Sequence, residues 1–329
     1  MNVLVSGGTG FIGSHTVVEL INNGDKVTIF DNLSNSKAEV IDRIEKITSV
    51  RPKFFECDML DKEALRKVFE SDKFDAVIHF AGFKAVGESV EKPLMYFTNN
   101  IIGTLNILEL MAEFNVKKII FSSSATVYGF AEKMPIKEDF PLSVSNPYGR
   151  TKLMIEDMLR DYCFAHKDFT AVLLRYFNPV GAHASGLLFE DPNGIPNNLM
   201  PRIIKAAKGE MECLKVFGDD YPTRDGSCIR DYIHVVDLAK GHVKAIGYAM
   251  NHTGAEAVNL GTGNGYSVFD MINTFENSTG VKVPYVVEGR RPGDAAESYA
   301  DPSKAKEIFG WEAKLSLSDM CRDAWKGAN

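Results

Sequence analysis

The hydrophobic positions of this chain gather in short runs separated by longer stretches with helical spacing. Val3-Leu4-Val5, within residues 1–6, is an apolar run suited to a strand buried on both faces, and Phe11–Asn22 then reads as a helix. Lys26-Val27-Thr28-Ile29-Phe30 is a second such run and ends in Asp31. Lys53–Glu56, residues 76–80, residues 118–123 and Thr170–Tyr176 read as further strands, with helix-like segments between them. Alternating strands and helices over short connections predict an α/β fold with a doubly wound parallel sheet of Rossmann type, whose ligands collect at the strand C-termini. Asp58, Phe80-Ala81-Gly82, residues 122–124 and Asn178 fall at such ends. Beyond Gly181 the pattern loosens into turn chemistry across residues 191–196. Residues 1–180 are therefore read as a dinucleotide-binding domain and 181–329 as mainly a smaller, mixed substrate-binding domain, with a strand near 257–261 returning to the first sheet.

One segment carries too much apolar surface. Residues 94–114 include Leu94, Phe97, Ile101, Ile102, Leu105, Ile107, Leu108, Leu110, Met111 and Phe114, more than one helix stripe can bury. Leu153, Met154, Met158, Leu159 and Tyr162 pose the same excess further on. Part of both must meet something beyond the sheet.

Composition narrows the class. A chain of 329 residues exceeds one compact core of ordinary size. No apolar run approaches the ~20 residues that span a bilayer. Met1-Asn2-Val3-Leu4 enters the first strand without a basic leader, so a soluble cytoplasmic protein without membrane contact is expected. Five scattered cysteines, Cys57, Cys163, Cys213, Cys228 and Cys321, form no C-x-x-C pair and no metal motif, and read as reduced thiols. A net charge of −7 argues against nucleic acid as a partner, whereas an anionic small molecule needs only one or two arginines.

Two motifs carry the chemistry. Gly7-Gly8-Thr9-Gly10-Phe11-Ile12-Gly13 stands between the first strand and the first helix, where residues without a Cβ let a pyrophosphate approach the helix N-terminus. Asp31, eighteen residues beyond Gly13, can accept both ribose hydroxyls of NAD and would repel the 2′-phosphate of NADP. Tyr148 and Lys152 lie at i and i+4 behind Pro147, on one face of a predicted helix, with Ser124 at a strand end. A tyrosine with an ordinary pKa near ~10 needs a downward shift of about 3 units, roughly 4 kcal/mol, to be largely anionic at pH 7. Lys152 and a positively charged nicotinamide are the expected sources. Together the motifs specify a redox step at a carbinol, because hydrogen transfer to nicotinamide must be matched by proton transfer.

These residues resemble the extended short-chain dehydrogenase/reductase family, and within it the UDP-glucose (UDP-galactose) 4-epimerases, nearly end to end. The resemblance is carried by residues 79–89 (HFAGFKAVGES), 121–129 (FSSSATVYG), 174–182 (LRYFNPVGA) and 195–201 (IPNNLMP). It implies C4 epimerisation of UDP-hexoses through a 4-keto intermediate, with Ser124, Tyr148 and Lys152 catalytic. It places NAD against Gly7, Gly10, Phe11, Ile12 and Gly13, its adenosine against Asp31, Asn32, Asn35, Ser36, Asp58 and Met59, and the rest against Phe80, Ala81, Gly82, Lys84, Asn99, Tyr148, Lys152 and Phe177. The UDP-sugar would meet Ser124, Asn178, Asn198, Leu199, Phe217, Arg230, Arg291, Asp294 and Ser298, with both arginines on the diphosphate. The resemblance also implies a homodimer joined through the apolar helices noted above. Related sugar-nucleotide dehydratases place an Asp-Glu pair just after the strand-end serine or threonine, and the decarboxylases a glutamate. Here Ala125 and Thr126 stand there, so elimination and decarboxylation lack their acid and base. A noncatalytic NAD-binding regulator would have no reason to keep Ser124, Tyr148 and Lys152 together. The resemblance sets Ser298 at a position lining the sugar pocket, where a small residue resembles the members that accept an acetamido group at C2, so UDP-GlcNAc and UDP-GalNAc are expected substrates as well, unless neighbouring Tyr299 turns inward.

Overall fold

Seven parallel strands form the main sheet: β1 (Asn2–Ser6), β2 (Lys26–Asp31), β3 (Lys53–Glu56), β4 (Ala76–His79), β5 (Lys118–Ser122), β6 (Thr170–Tyr176) and, numbered in chain order, β11 (Gly254–Leu260). Their order is β11-β6-β5-β4-β1-β2-β3. It reverses between β1 and β4, and in open α/β sheets the ligand crevice lies outside the strand ends at that point. The computed structural model describes residues 1–329 except Gly194, Ile195, Asn197 and Pro292, so part of the turn expected across 191–196 lies outside the described residues.

The helices explain why the strands show little apolar-polar alternation. Helices α1 (Phe11–Asn22), α2 (Val40–Thr48) and, after the sixth strand, α9 (Val235–Ala249) cover one face, where Val3, Val5, Val17, Leu20 and Ile246 share a core. Helices α3 (Lys62–Glu70), α6 (Gly103–Glu113) and α7 (Pro147–Ala165) cover the other, with Leu4, Val77, Ile107 and Leu159. A strand covered on both faces reads as a near-continuous apolar run. The returning strand begins earlier than expected, at Gly254, and pairs with β6 from Gly254↔Thr170 to Leu260↔Tyr176. Helix α9 packs on α1, and α11 (Ser303–Phe309) on α9.

The remaining elements enclose a second core around Val180, Ile203, Leu214, Phe275 and Met320. They are α8 (Leu199–Ala207), α10 (Val268–Thr279) and α12 (Leu317–Ala328), with two parallel strand pairs and a short three-stranded sheet. The pairs are β7 (Asn178–Val180) with β10 (Tyr232–His234), and β8 (Leu214–Phe217) with β13 (Tyr285–Glu288). The small sheet joins β9 (Ile229–Arg230) to β12 (Tyr266–Ser267) and β14 (Glu297–Ser298).

Residues 94–114 are not one helix. After the single turn α4 (Val86–Glu91), α5 (Pro93–Phe97) runs into a π-helical turn, Thr98–Ile102, before α6. The wider turn shifts the apolar register and buries Asn99 and Asn100 side by side. Leu94 stays 78% exposed, and Val90, Ile102, Leu105 and Met154 of α7 are exposed with it. No helix among the described residues is long and apolar enough to cross a membrane.

Candidate active site

The glycine turn is shaped by close backbone approaches. Gly7 has φ +68°, and a Cβ there would lie 2.8 Å from the Ala81 nitrogen at the end of β4; on Gly13 it would lie 2.2 Å from the Gly7 carbonyl oxygen. Gly10 caps α1 with no side-chain hydrogen bond, and no acidic residue stands in the helix's first turn. The first backbone N–H groups of α1 are thus left for an external anion, which is what a dinucleotide pyrophosphate requires.

At the end of β2, Asp31 accepts from the Thr9 nitrogen (3.2 Å), the Leu33 nitrogen (2.9 Å) and the Ser36 hydroxyl (3.2 Å). These bonds orient the carboxylate, which therefore comes to a ribose with part of its acceptor capacity already used. Asn32 donates to Asp58 (2.9 Å), and Met59 lies buried against Gly103. Asn35 accepts from the Asn193 nitrogen at 3.1 Å. The adenosine residues named from sequence are thus brought together at the ends of β2 and β3.

The catalytic candidates meet at the ends of β4 and β5. Asn146 caps α7 by accepting from the Gly149 nitrogen (2.8 Å), with Pro147 at the first helical position, so Tyr148 and Lys152 fall on one face. Lys152 is buried, donates to the Ser122 carbonyl (2.6 Å), and stands 5.9 Å from the centre of the Tyr148 ring. Burial pulls the Lys152 ammonium down to about 8, against the opposing carboxylate of Glu156. Burial also pushes the Tyr148 phenol above the ordinary tyrosine range, against a hydrogen bond from Ser124. With these protein groups alone the phenol is neutral at pH 7, so Lys152 does not by itself produce the expected phenolate. Phe80 packs on His242, Ala81 donates to the Ser6 hydroxyl (3.2 Å), and Gly82 has φ +155° beside Asn100. Asn99 donates to Asn100, which also accepts from the Phe83 nitrogen. Phe177 is buried beside Val127 and Tyr128.

The substrate candidates line the facing part of the molecule. Asn178 opens β7, two residues past the end of β6, and is exposed. Asn198 caps α8 ahead of Leu199, and its amide donates to Glu190 (2.5 Å), whose carboxylate is also 3.6 Å from Lys84. Arg291 forks onto Asp294 (3.0 and 2.9 Å) and sits over the Phe217 ring, while Arg230 is 3.7 Å from the same Asp294. The carboxylate holds both guanidinium groups where two charges of one diphosphate could replace it. Ser298 pairs with Arg230 in the small sheet. Tyr299, just past the end of that strand, lays its ring against Gly265.

Several groups that shape the site were not read from sequence. Thr9 orders Asp31 and bonds Ser36 (2.7 Å). Asp231 is fully buried and gathers the Thr262, Gly263 and Ala300 nitrogens (2.9, 3.0 and 3.2 Å), tying β10 to the ends of β11 and β14; burial pushes its carboxyl up. Thr9 belongs to the glycine turn and could have been named with it. Glu190 and Asp231 gave no local signal.

Comparison with known proteins agrees with this geometry. Residues 4–324 match the family model described as GDP-mannose 4,6 dehydratase. The UDP-glucose 4-epimerase of Bacillus subtilis is 58% identical over 99% of this chain and 96% of its own length. Two crystal structures superpose closely. The epimerase of Stenotrophomonas maltophila with bound NAD and formylated UDP-arabinopyranose has a TM-score of 0.97 at 48% identity, covering 99% of this chain and 97% of that one. The epimerase of Bifidobacterium longum in complex with NAD+ and UDP has a TM-score of 0.96 at 51% identity, covering 99% and 98%. The chain belongs to the extended short-chain dehydrogenase/reductase family, among its UDP-glucose 4-epimerases.

Proposed function

We propose that the protein interconverts UDP-glucose and UDP-galactose by epimerisation at C4, using NAD seated on the glycine turn. The observation that carries this reading is the cluster of Ser124, Tyr148 and Lys152 beside that turn, with Ala125 and Thr126 where an eliminating enzyme needs its acid and base. When bound, NAD supplies the acceptor for the C4 hydrogen and returns it, and its ring charge adds to that of Lys152 in favouring the Tyr148 phenolate. The Tyr148 oxygen takes the proton of the sugar 4-hydroxyl through or beside Ser124, leaving a ketone at C4. Once the sugar has presented its other face, the same oxygen gives the proton back. Arg230 and Arg291 leave Asp294 for the diphosphate, and Asn178, Asn198, Leu199 and Phe217 hold the rest of the nucleotide sugar.

Incubating the purified protein with UDP-galactose and no added NAD tests this directly. Formation of UDP-glucose is the expected result; a protein that retains NAD yet turns over neither sugar would overturn it.

The substrate range extends to UDP-GlcNAc and UDP-GalNAc. The supporting observation is the pair Ser298 and Tyr299: the small residue pairs with Arg230, and the neighbouring ring is held at Gly265. The protein acts as a homodimer joined through the exposed Val90, Leu94, Leu105 and Met154. Its five free cysteines suit the reducing cytoplasm.

A further inference from the structure

We propose that Glu156 is a positioning residue for proton transfer, joining the helix that carries Tyr148 and Lys152 to the strand end that carries Ser124. The inference rests on the epimerase reading above and extends it to a group that touches neither substrate nor cofactor.

The Glu156 side chain is completely buried, one turn beyond Lys152 on α7. One carboxylate oxygen accepts from the Ser123 hydroxyl (2.6 Å) and the Arg175 Nε (2.9 Å). The other accepts from a terminal nitrogen of Arg175 and one of Arg160, both at 2.6 Å. Every acceptor direction of the carboxylate is used. Arg175, itself 1% exposed, turns its remaining nitrogen to the Tyr128 hydroxyl (3.0 Å) and the Glu138 carbonyl (3.2 Å). Tyr128 donates to Asn259 (2.7 Å), whose own amide reaches the Ile136 carbonyl (2.9 Å). The network thus ties together the end of β5, α7, β6, β11 and the segment after Tyr128.

A buried ion pair is a poor device for stability alone, because well-packed apolar residues do as well or better. Its value here lies in direction. Ser123 adjoins Ser124, and Lys152 bonds the carbonyl of Ser122, so the carboxylate fixes the helix against the strand one residue from Ser124 and one helical turn from Lys152. It also sets a negative charge one helical turn from the Lys152 ammonium. The other titratable groups that meet that ammonium are His79 on β4, held neutral by burial, and Tyr148 on α7; on β6, Tyr176 bonds the Ser122 hydroxyl and Arg175 bonds Glu156 itself. Glu156 is the carboxylate among them.

The test is the pH profile of UDP-galactose epimerisation by the NAD-loaded enzyme. Glu156→Gln withdraws the charge that favours the ammonium, so the alkaline limb, where kcat loses the help of that ammonium, falls by about one pH unit and kcat near pH 8 drops severalfold, with KM changed less than about twofold. Glu156→Asp, which keeps the charge, restores the limb. Glu156→Gln leaves Arg175 buried without its partner, so the variant Glu156→Gln/Arg175→Met, with that charge removed as well, secures a folded protein; its limb also falls, by less. Folded variants with the native alkaline limb, or a loss confined to KM, would overturn the proposal. Native enzyme inactive on UDP-galactose would overturn the epimerase reading and this inference together, whereas active native enzyme with unmoved variants sinks this inference alone.

Discussion

Replacing Lys152 by methionine keeps most of the length of the side chain and removes an ammonium that stands 5.9 Å from the Tyr148 ring centre. At about 6 Å, with an effective dielectric constant of ~20, that charge is worth about 3 kcal/mol to a phenolate, roughly 2 pK units. Burial already pushes the Tyr148 phenol up, so little else in the protein offsets the loss. The phenolate fraction at pH 7, and kcat with it, should fall about 100-fold and then recover about tenfold per pH unit as the medium supplies the missing driving force. Tyr148→Phe, which has no proton to lose, should stay inactive at every pH. Initial rates of UDP-glucose formation from UDP-galactose between pH 6 and 9.5, on protein of measured NAD content, separate the two variants. A Lys152→Met enzyme whose rate loss is the same at pH 6 and pH 9.5, or tracks lost NAD alone, would refute the electrostatic argument.

Ser298→Tyr should suppress turnover of UDP-GlcNAc and spare UDP-galactose, since a phenol overlapping the acetamido group costs roughly 1–3 kcal/mol, up to about 200-fold in kcat/KM; equal loss of both activities in a competition assay would count against it. Leu94→Asp, at a side chain 78% exposed, should leave the fold intact but convert a dimer to monomer by light scattering at micromolar concentration, and a native monomer there removes the interface. Acid should destabilise the fold well before carboxylates titrate. Burial lowers His15 and His79 to about 3 and His242 to about 4, so the unfolded chain binds protons first as pH falls below 6.5. Stability present above that value is lost toward the folded-state pKa values, by about 2 kcal/mol per histidine at pH 5. A urea midpoint unchanged between pH 7 and 5 would contradict the assignment.

Which features were legible in sequence follows from the range of the forces involved. The central strands of the main sheet are buried on both faces, so each is an apolar run that declares itself within four to seven residues, and the helix Phe11–Asn22 is bounded by glycine before it and Asn23-Gly24 after it. The opening of α7 is equally local, since Asn146 and Pro147 act on the next three residues. The π-helical turn at Thr98–Ile102 defeats periodicity because it changes the period itself. Strands of two residues, such as β9, β12 and β14, bury too little to leave a pattern, although they place Arg230 and Ser298.

Charged anchors are hidden for a different reason. Asp231 serves backbone groups some 31 to 69 residues away, and Glu156 meets Ser123 and Arg175 from 33 and 19 residues off, so nothing beside either residue marks it. Glu156 even follows Lys152 at a spacing that on an exposed helix would be an ordinary surface pair worth a few tenths of a kcal/mol. Only burial changes its meaning: sealed from water, the carboxylate turns to Ser123 at the end of β5 and to Arg175 on β6, and so ties α7 to two strands instead of pairing at its own surface.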